Sequence, residues 1–374
     1  MKRQLIVLLS LFLLVSITYG QTETEKSALE KAKTAEDNKD YQEALKWYKK
    51  ANVLNPKNGT TYYDIAWSQN ELENYTDAAK IAEAGTKISA TAKLYNEYGY
   101  ALYMLERDAE AIEKYKKALA LNPEEKGAVK GIADVYFSDK DYTNAEIYYK
   151  KCLTLGKEPK VANYKLGYIS NEHEKYQKAV EYELAAIKID EEYASAYNEL
   201  GYAYSQLNQK SDALDNYIKA CNLNQDNAIY AANVADIYYA VKDLEDLDKA
   251  AEYYKKSLAI ENKSAKSNYR LGWILNEKEK YNEAKPYLYK AVELDPKYAD
   301  AWIELGWIDY SQENYSAAES DYLKGLQYNE KSELARYYLG QVYIKQGKKS
   351  NAQKMVDELK SMASSYADKL KAKM

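Results

Sequence analysis

The sequence contains few of the residues from which most catalytic sites and disulfide frameworks are built. Its 374 residues include one histidine, two cysteines and five prolines, and 42 tyrosines stand against two phenylalanines, a preference that the sequence does not explain. It contains no glycine-rich phosphate loop, no metal-type spacing of histidine and cysteine, and no nucleophile elbow. We therefore predict that the chain is not an enzyme and that it uses no cofactor and no metal.

Long apolar runs are also absent, with one exception at the N-terminus. Lys2 and Arg3 precede an apolar run over residues 5–17, which only two serines interrupt, and small residues stand at −3 and −1 of a cut before Gln21. This pattern predicts a secretory signal peptide over residues 1–20. An uncleaved anchor is the alternative, although the run is short for a bilayer, which needs about 20 residues. We expect an exported bacterial protein, periplasmic or secreted, with no transmembrane segment after cleavage.

Positive charge is not in excess. The chain has 53 lysines and arginines against 58 acidic residues, for a net charge of −5. Cleavage after residue 20 removes two positive charges and no negative one, which takes the net charge to −7. Nucleic acid and anionic membrane surfaces are therefore not expected as partners.

Internal repetition is what the sequence has in abundance. The segment YQEALKWYKKANVLNP begins at Tyr41, and related segments begin at Ala109 (AEAIEKYKKALALNP) and Tyr281 (YNEAKPYLYKAVELDP). The period is 34 residues, and the units begin near residues 25, 59, 92, 126, 160, 194, 228, 265, 299 and 333. Self-similarity at such a period is typical of solenoids, so we predict one continuous array over residues 21–374.

Two positions of the unit carry a small residue every time. Position 20 is alanine in all ten units, and position 8 is alanine or glycine. The apolar residues around both positions have helical spacing, a short polar stretch separates them, and Asn-Pro or Asp-Pro follows in several units. Each unit is thus predicted to form two antiparallel helices that cross closely at the small residues.

These features resemble the tetratricopeptide repeat family. The resemblance rests on aromatic position 4, Leu-Gly at positions 7 and 8, tyrosine at 24, alanine at 27 and proline at 32, as in Tyr197, Leu200, Gly201, Tyr217 and Pro123. It implies an all-α fold, a right-handed α-solenoid of about ten helix-turn-helix units whose first helices line a concave groove. Residues 361–374 are expected to form a C-terminal capping helix.

The two cysteines are not expected to pair. Cys152 and Cys221 lie two units apart, which is on the order of 20 Å at ~10 Å per helix layer. A disulfide needs Cα atoms within about 7 Å. We therefore predict two buried free thiols, which suits a bacterial protein better than a small eukaryotic secreted domain.

The resemblance also implies which residues line the groove, because positions 2, 5, 9, 12 and 13 do so in the family. Here these positions are rich in tryptophan and tyrosine interleaved with asparagine, which offer stiff contact area and adaptable hydrogen bonds. We expect a protein or an extended peptide as partner, with an envelope glycan as the alternative. The rings alternatively fill space between neighbouring repeats, and the sequence leaves both interpretations open. The predicted partner-binding residues are Trp67, Tyr100, Tyr103, Tyr164, Tyr168, Asn198, Tyr202, Tyr269, Trp273, Trp307 and Tyr310.

Overall fold

The computed structural model describes residues 23–240 and 246–374, which contain 21 α-helices and no strand. The chain divides into two compact units, each of which contains several repeats, with the division between Ile169 and Ser170. We call these two parts of the chain the first unit and the second unit, and we call the 34-residue elements repeats. The predicted signal peptide, residues 1–20, lies outside the described residues. The continuous array over residues 21–374 stays a prediction.

The helices follow one another with short links. The first unit contains α1 (Glu25–Asp37), α2 (Tyr41–Leu54), α3 (Gly59–Glu71), α4 (Tyr75–Ile88), α5 (Ala92–Met104), α6 (Asp108–Leu121), α7 (Lys126–Ser138) and α8 (Tyr142–Thr154). Helix α9 (Pro159–Glu172) carries the division between the units. The second unit contains α10 (Tyr176–Ile189), α11 (Ala194–Gln206), α12 (Lys210–Leu223), α13 (Ala228–Ala240), α14 (Leu247–Ile260), α15 (Ala265–Glu277), α16 (Tyr281–Leu294), α17 (Ala299–Ser311), α18 (Tyr315–Tyr328), α19 (Glu333–Lys345), α20 (Lys349–Ser361) and α21 (Tyr366–Lys371).

Within each unit, consecutive helices pack as pairs, and the first helices of successive pairs also touch. Helix α5 contacts α3 and α7, and helix α17 contacts α15 and α19. The first helices therefore lie side by side as a row, with the second helices on the other side. This is the pairing that the 34-residue period predicts, and it gives the row one accessible face.

The turns inside the pairs share one backbone device. Each described turn has a residue in the left-handed region, such as Lys39 (φ 59°), Glu106 (φ 59°), Glu313 (φ 62°) and Gly347 (φ 73°). In the first turn, the N–H of the following residue bonds back to a carbonyl of the helix, a Schellman-type ending. The link between α13 and α14 is longer than these turns, but residues 241–245 of it lie outside the described part of the chain.

The small residues are buried as predicted, but position 8 is small for a different reason. A Cβ atom on Gly99 would lie 2.7 Å from the ring of Tyr115, and one on Gly306 would lie 3.0 Å from the ring of Tyr322. Both rings belong to position 24 of the same repeat. Glycine at position 8 thus leaves room for a large side chain, rather than for a close approach of the two backbones.

Position 24 also accounts for part of the preference for tyrosine. The Tyr149 hydroxyl donates to Asp134 Oδ1 at 2.7 Å. A phenylalanine could not make this bond, and the carboxylate would lose a partner inside the helix pair. The same arrangement joins Tyr48 to Glu36 and Tyr254 to Asp236.

Two further predictions are confirmed in the described residues. Cys152 and Cys221 are buried and free. Helix α21 packs on α19 and α20, and Leu370 is fully buried against Gly340. The cap is shorter than predicted, since its helix covers only Tyr366–Lys371 of the segment 361–374.

Candidate functional site

The predicted partner-binding residues all lie on the first helices, and none of them is buried. Two are exposed, Tyr100 at 38% and Tyr202 at 40% of their surface. The other nine are half-buried, namely Trp67, Tyr103, Tyr164, Tyr168, Asn198, Tyr269, Trp273, Trp307 and Tyr310. The face of the row therefore presents aromatic side chains to solvent in both units.

In the first unit this face contains three adjoining pockets, which we call the first-helix groove. The first pocket, of about 370 Å³, is lined by Leu29, Tyr63 and Trp67 among others. Trp67 also lines the second, of about 350 Å³, together with Asn70, Glu97, Tyr100 and Tyr103. Tyr103 leads to the third, of about 470 Å³, which Phe137 and Tyr168 border. Four of the predicted residues thus line three neighbouring pockets, which share Trp67 and Tyr103.

The rings at position 9 are held by aromatic neighbours. Trp67 meets Tyr41 edge-on, with centroids 5.4 Å apart and planes at 87°. In the second unit, Trp273 meets Tyr239 at 5.4 Å in the same geometry. Each ring is therefore fixed on one side while part of its surface stays accessible. Packing between repeats and accessibility to a partner coexist in the same side chains.

Two predicted residues make polar contacts within the face. The Asn198 side chain accepts a hydrogen bond from Asn233 at 2.8 Å and donates one to Glu199 at 3.3 Å. The Tyr310 hydroxyl donates to Gln341 at 3.4 Å. Intramolecular partners therefore already occupy much of the hydrogen-bonding capacity of the Asn198 amide.

A recurring asparagine–glutamate contact was not anticipated from the sequence. An asparagine at position 12 of one repeat donates its side-chain N–H to a glutamate at position 6 of the next, which ties two first helices together. The Asn70–Glu97 bond measures 2.9 Å, and the Asn171–Glu199 and Asn276–Glu304 bonds measure 3.1 and 2.5 Å. Only some repeats carry asparagine at position 12 or glutamate at position 6. The two residues are therefore not part of the pattern that all 34-residue repeats share.

A longer period in the sequence would have revealed this contact. Every third repeat has a similar sequence in its first helix and the turn after it: YYDIAWSQNELENY begins at Tyr62, NYKLGYISNEHEKY at Asn163 and NYRLGWILNEKEKY at Asn268. The repeats that follow these three carry Glu97, Glu199 and Glu304 at position 6. The first helices therefore follow a three-repeat pattern that occurs three times along the sequence.

These three glutamates are electrostatically unusual. Burial raises the pKa of Glu97 and Glu199, while the asparagine hydrogen bonds oppose the shift. Burial likewise raises the pKa of Glu304 to about 7, against the hydrogen bond from Asn276. In each case a glutamate at position 13 of the preceding repeat adds to the increase by repulsion.

The lysines of the second pocket do not neutralise Glu97. The Lys130 ammonium pairs with Asp134 at 2.6 Å and with Glu158 at 3.6 Å, and Lys157 pairs with Glu158 at 2.9 Å.

Within residues 23–240 and 246–374, no cluster of three histidine, cysteine, aspartate or glutamate side chains could hold a metal ion. No helix of those residues is both long and apolar enough to cross a bilayer.

Comparison with protein families identifies the repeats. Tetratricopeptide repeat models match residues 25–58, 194–227 and 265–298, residues 92–125, and residues 109–158. The chain is a tetratricopeptide repeat protein, and its ten helix pairs fit about ten repeats. The predicted fold class, an all-α solenoid of such repeats, is confirmed. Such a scaffold is suited to protein–protein interaction, and members of the family are generally not enzymes.

Similar proteins agree with this class but match only part of the chain. The small glutamine-rich tetratricopeptide repeat-containing protein 2 of Mycosarcoma maydis is 31% identical over 96 residues, which are 25% of this chain and 27% of that protein. Its Saccharomyces cerevisiae counterpart is 35% identical over 83 residues, 22% of this chain and 24% of that protein. The chain thus spans about a quarter of the length of these relatives.

Among solved structures, the C-terminal part of a tetratricopeptide repeat-containing protein from Cytophaga hutchinsonii resembles the chain. The two align with a TM-score of 0.50 at 19% identity, over 64% of this chain and 98% of the other. At this level of identity the likeness supports the fold alone.

Proposed function

We propose that the chain is an exported, non-catalytic scaffold that binds an extended peptide segment of a partner protein along its first helices. The observation that carries the proposal is the first-helix groove, in which three successive pockets share the lining residues Trp67 and Tyr103. An extended chain advances about 3.3 Å per residue and points its side chains alternately to two sides. Such a chain can fill pockets that lie one after another.

The side chains of the groove suit this kind of ligand. Its aromatic rings are already held by their neighbours, so a partner gains contact area without ordering them on binding. Asparagine and carboxylate oxygens lie among the rings, which gives polar contacts for a peptide backbone and its side chains. The signal-peptide pattern of residues 1–20 supports export, where the partner would be an envelope or secreted protein.

The proposal is tested with the purified chain and a displayed library of twelve-residue peptides. Peptides that bind are synthesised, and their affinities are measured by fluorescence anisotropy. Trp67→Ala should weaken binding by a factor of about 5 to 150, which corresponds to about 1–3 kcal/mol for an aromatic anchor. The rings at Trp273 and Trp307 should behave similarly if the peptide extends over the second unit.

Trp302→Ala is the matched control, because Trp302 packs at position 4 and not on the accessible face. Its indole N–H donates to the Pro296 carbonyl at 3.0 Å, and Lys324 covers its ring at 3.9 Å. Both variants must keep the helical circular-dichroism spectrum of the wild type. Equal peptide affinities of the wild type and Trp67→Ala would show that the peptide does not bind in the first-helix groove.

Two further measurements test its remaining parts. A glycan array would favour the carbohydrate alternative if saturable sugar binding appeared and Trp67→Ala abolished it while no peptide bound. N-terminal sequencing of the chain from fractionated cells should find Gln21 first, outside the cytoplasm. A cytoplasmic chain that still begins at Met1 would contradict export.

A further inference from the structure

The three-repeat unit places an acidic group at equivalent repeat positions three times, once in the first compact unit and twice in the second. We define an Asn–Glu–Glu site as the asparagine at position 12, the glutamate at position 13 and the glutamate at position 6 of the next repeat. The three sites are Asn70, Glu71 and Glu97; Asn171, Glu172 and Glu199; and Asn276, Glu277 and Glu304.

Each site offers hydrogen-bond acceptors that nothing in the described chain occupies. The three asparagines are 4% exposed, and the N–H groups of their amides are directed at the glutamates. Their amide oxygens have no hydrogen-bond partner. A buried acceptor without a partner is costly, and three at equivalent positions call for a donor.

The glutamates of the sites also lack a counter-charge. None of the six forms an ion pair with a lysine or arginine of the described residues, although exposed glutamates of the second helices such as Glu83, Glu113 and Glu293 do. Around the first site, the lysines that come close are bound to other carboxylates. Each site therefore carries two carboxyl groups and no cation.

Aromatic rings stand beside the carboxyl groups. Trp67 and Tyr100 line the same pocket as Asn70, Glu71 and Glu97. At the third site, Trp273 lies one helical turn before Asn276, and Trp307 lies one turn after Glu304. Carboxylate oxygens together with aromatic faces recognise ammonium and guanidinium groups, which donate hydrogen bonds and are attracted to ring faces.

We propose that each Asn–Glu–Glu site binds a lysine or arginine side chain, so that the partner is a basic segment. This inference rests on the proposed function, since it names the chemistry of the peptide that the row of first helices binds. The negative net charge of the chain favours the same class of partner by long-range attraction.

The test uses a lysine-containing peptide from the display library and the same peptide with every lysine acetylated. Acetylation removes the positive charge and keeps most of the side chain, so it should weaken binding at least about tenfold. The triple variant Glu97→Gln/Glu199→Gln/Glu304→Gln should lose a similar factor. Glutamine keeps an oxygen that can accept the asparagine N–H, which preserves the contact between the helices.

A second triple variant controls for the change in net charge. Glu113→Gln/Glu181→Gln/Glu252→Gln removes three charges from exposed positions of the second helices and should leave the affinity within about twofold. Equal binding of the lysine and acetyl-lysine peptides would overturn the inference while the proposed function stood. The inference would also be overturned if the two triple variants lost equal factors of affinity for the lysine peptide. Failure of every peptide to bind would overturn the proposed function, and the inference with it.

Discussion

Replacement of Glu183 by glutamine should stabilise the second unit, and increasingly so as the pH rises. Glu183 occupies position 24, where six other repeats place tyrosine. Its side chain is fully buried, and neither carboxyl oxygen has a hydrogen-bond partner in the described chain. Burial raises its pKa well above the ordinary value of 4.5, and Glu199 adds to the shift by repulsion. Burial therefore favours the neutral form of this carboxyl group in the folded state.

Linkage fixes both the sign and the size of the effect. Because the pKa is raised on folding, the folded state binds more protons than the unfolded state above pH 4.5. Stability is then fully present below that pH and falls as the pH rises towards the folded-state pKa, by at most about 1.4 kcal/mol per pH unit. Two units above 4.5, the loss reaches at most about 3 kcal/mol. Glu183→Gln has no proton to lose, so its advantage should grow by the same amount.

The measurement is denaturant unfolding of wild type and Glu183→Gln at about pH 4.5, 5.5 and 6.5. Glu181→Gln is the control, since it removes an exposed charge from the same helix and should change stability by less than about 0.5 kcal/mol at every pH. A difference between wild type and Glu183→Gln that does not depend on pH would refute the reasoning. The reasoning would also be refuted if the free energy of unfolding of the wild type increased relative to that of Glu183→Gln as the pH rises.

The remaining predictions concern tyrosine, the turns and the proposed binding. Tyr322→Phe should stabilise the chain by about 1 kcal/mol, because the buried Tyr322 hydroxyl has no partner among the described residues. Tyr149→Phe should destabilise it by about 1–3 kcal/mol, because Asp134 Oδ1 loses its donor while Lys130 still pairs with Oδ2; urea unfolding measures both changes. Glu106→Gly should stabilise by roughly 0.5–1 kcal/mol because position 15 is left-handed, and Gly347→Ala should destabilise by about 1 kcal/mol in the same assay. In the Glu97→Gln/Glu199→Gln variant, Glu304 is the remaining position-6 glutamate, and it attracts a cation only in its charged form. The affinity for the lysine peptide should therefore fall as the pH drops through about 7. Binding that is constant with pH would contradict this.

The helix pairs were predictable from the sequence because their determinants are local and repeat ten times. Alanine at position 20 and the polar turns mark each pair, and the helix bounds follow the 34-residue register. The reason for a small residue at position 8 was not predictable in the same way. Ring and glycine lie 16 positions apart, so the contact between Gly99 and Tyr115 emerges only when the two helices are placed together.

The candidate site was predictable in its aromatic part and not in its polar part. Trp67, Tyr100 and Tyr103 stand at positions that the family resemblance assigns to the groove, and they line one pocket. Asn70 and Glu97 are 27 residues apart and belong to different repeats, so only the three-repeat period in the sequence points to their contact. Averaging all ten repeats onto one 34-residue pattern removes that signal.

The position-6 glutamates bear on the proposed binding of a basic segment. Raised pKa values mean that the charged forms of Glu97, Glu199 and Glu304 are disfavoured in the folded chain, so each carries a stability cost at neutral pH. Glutamine would keep an oxygen for the asparagine contact and remove that cost. Packing alone therefore does not require glutamate at these positions, whereas the proposed cationic side chain of a partner would offset the burial of the charge. Glu97→Gln should accordingly increase stability and weaken peptide binding together, and a variant that loses both would assign the residue to the fold instead.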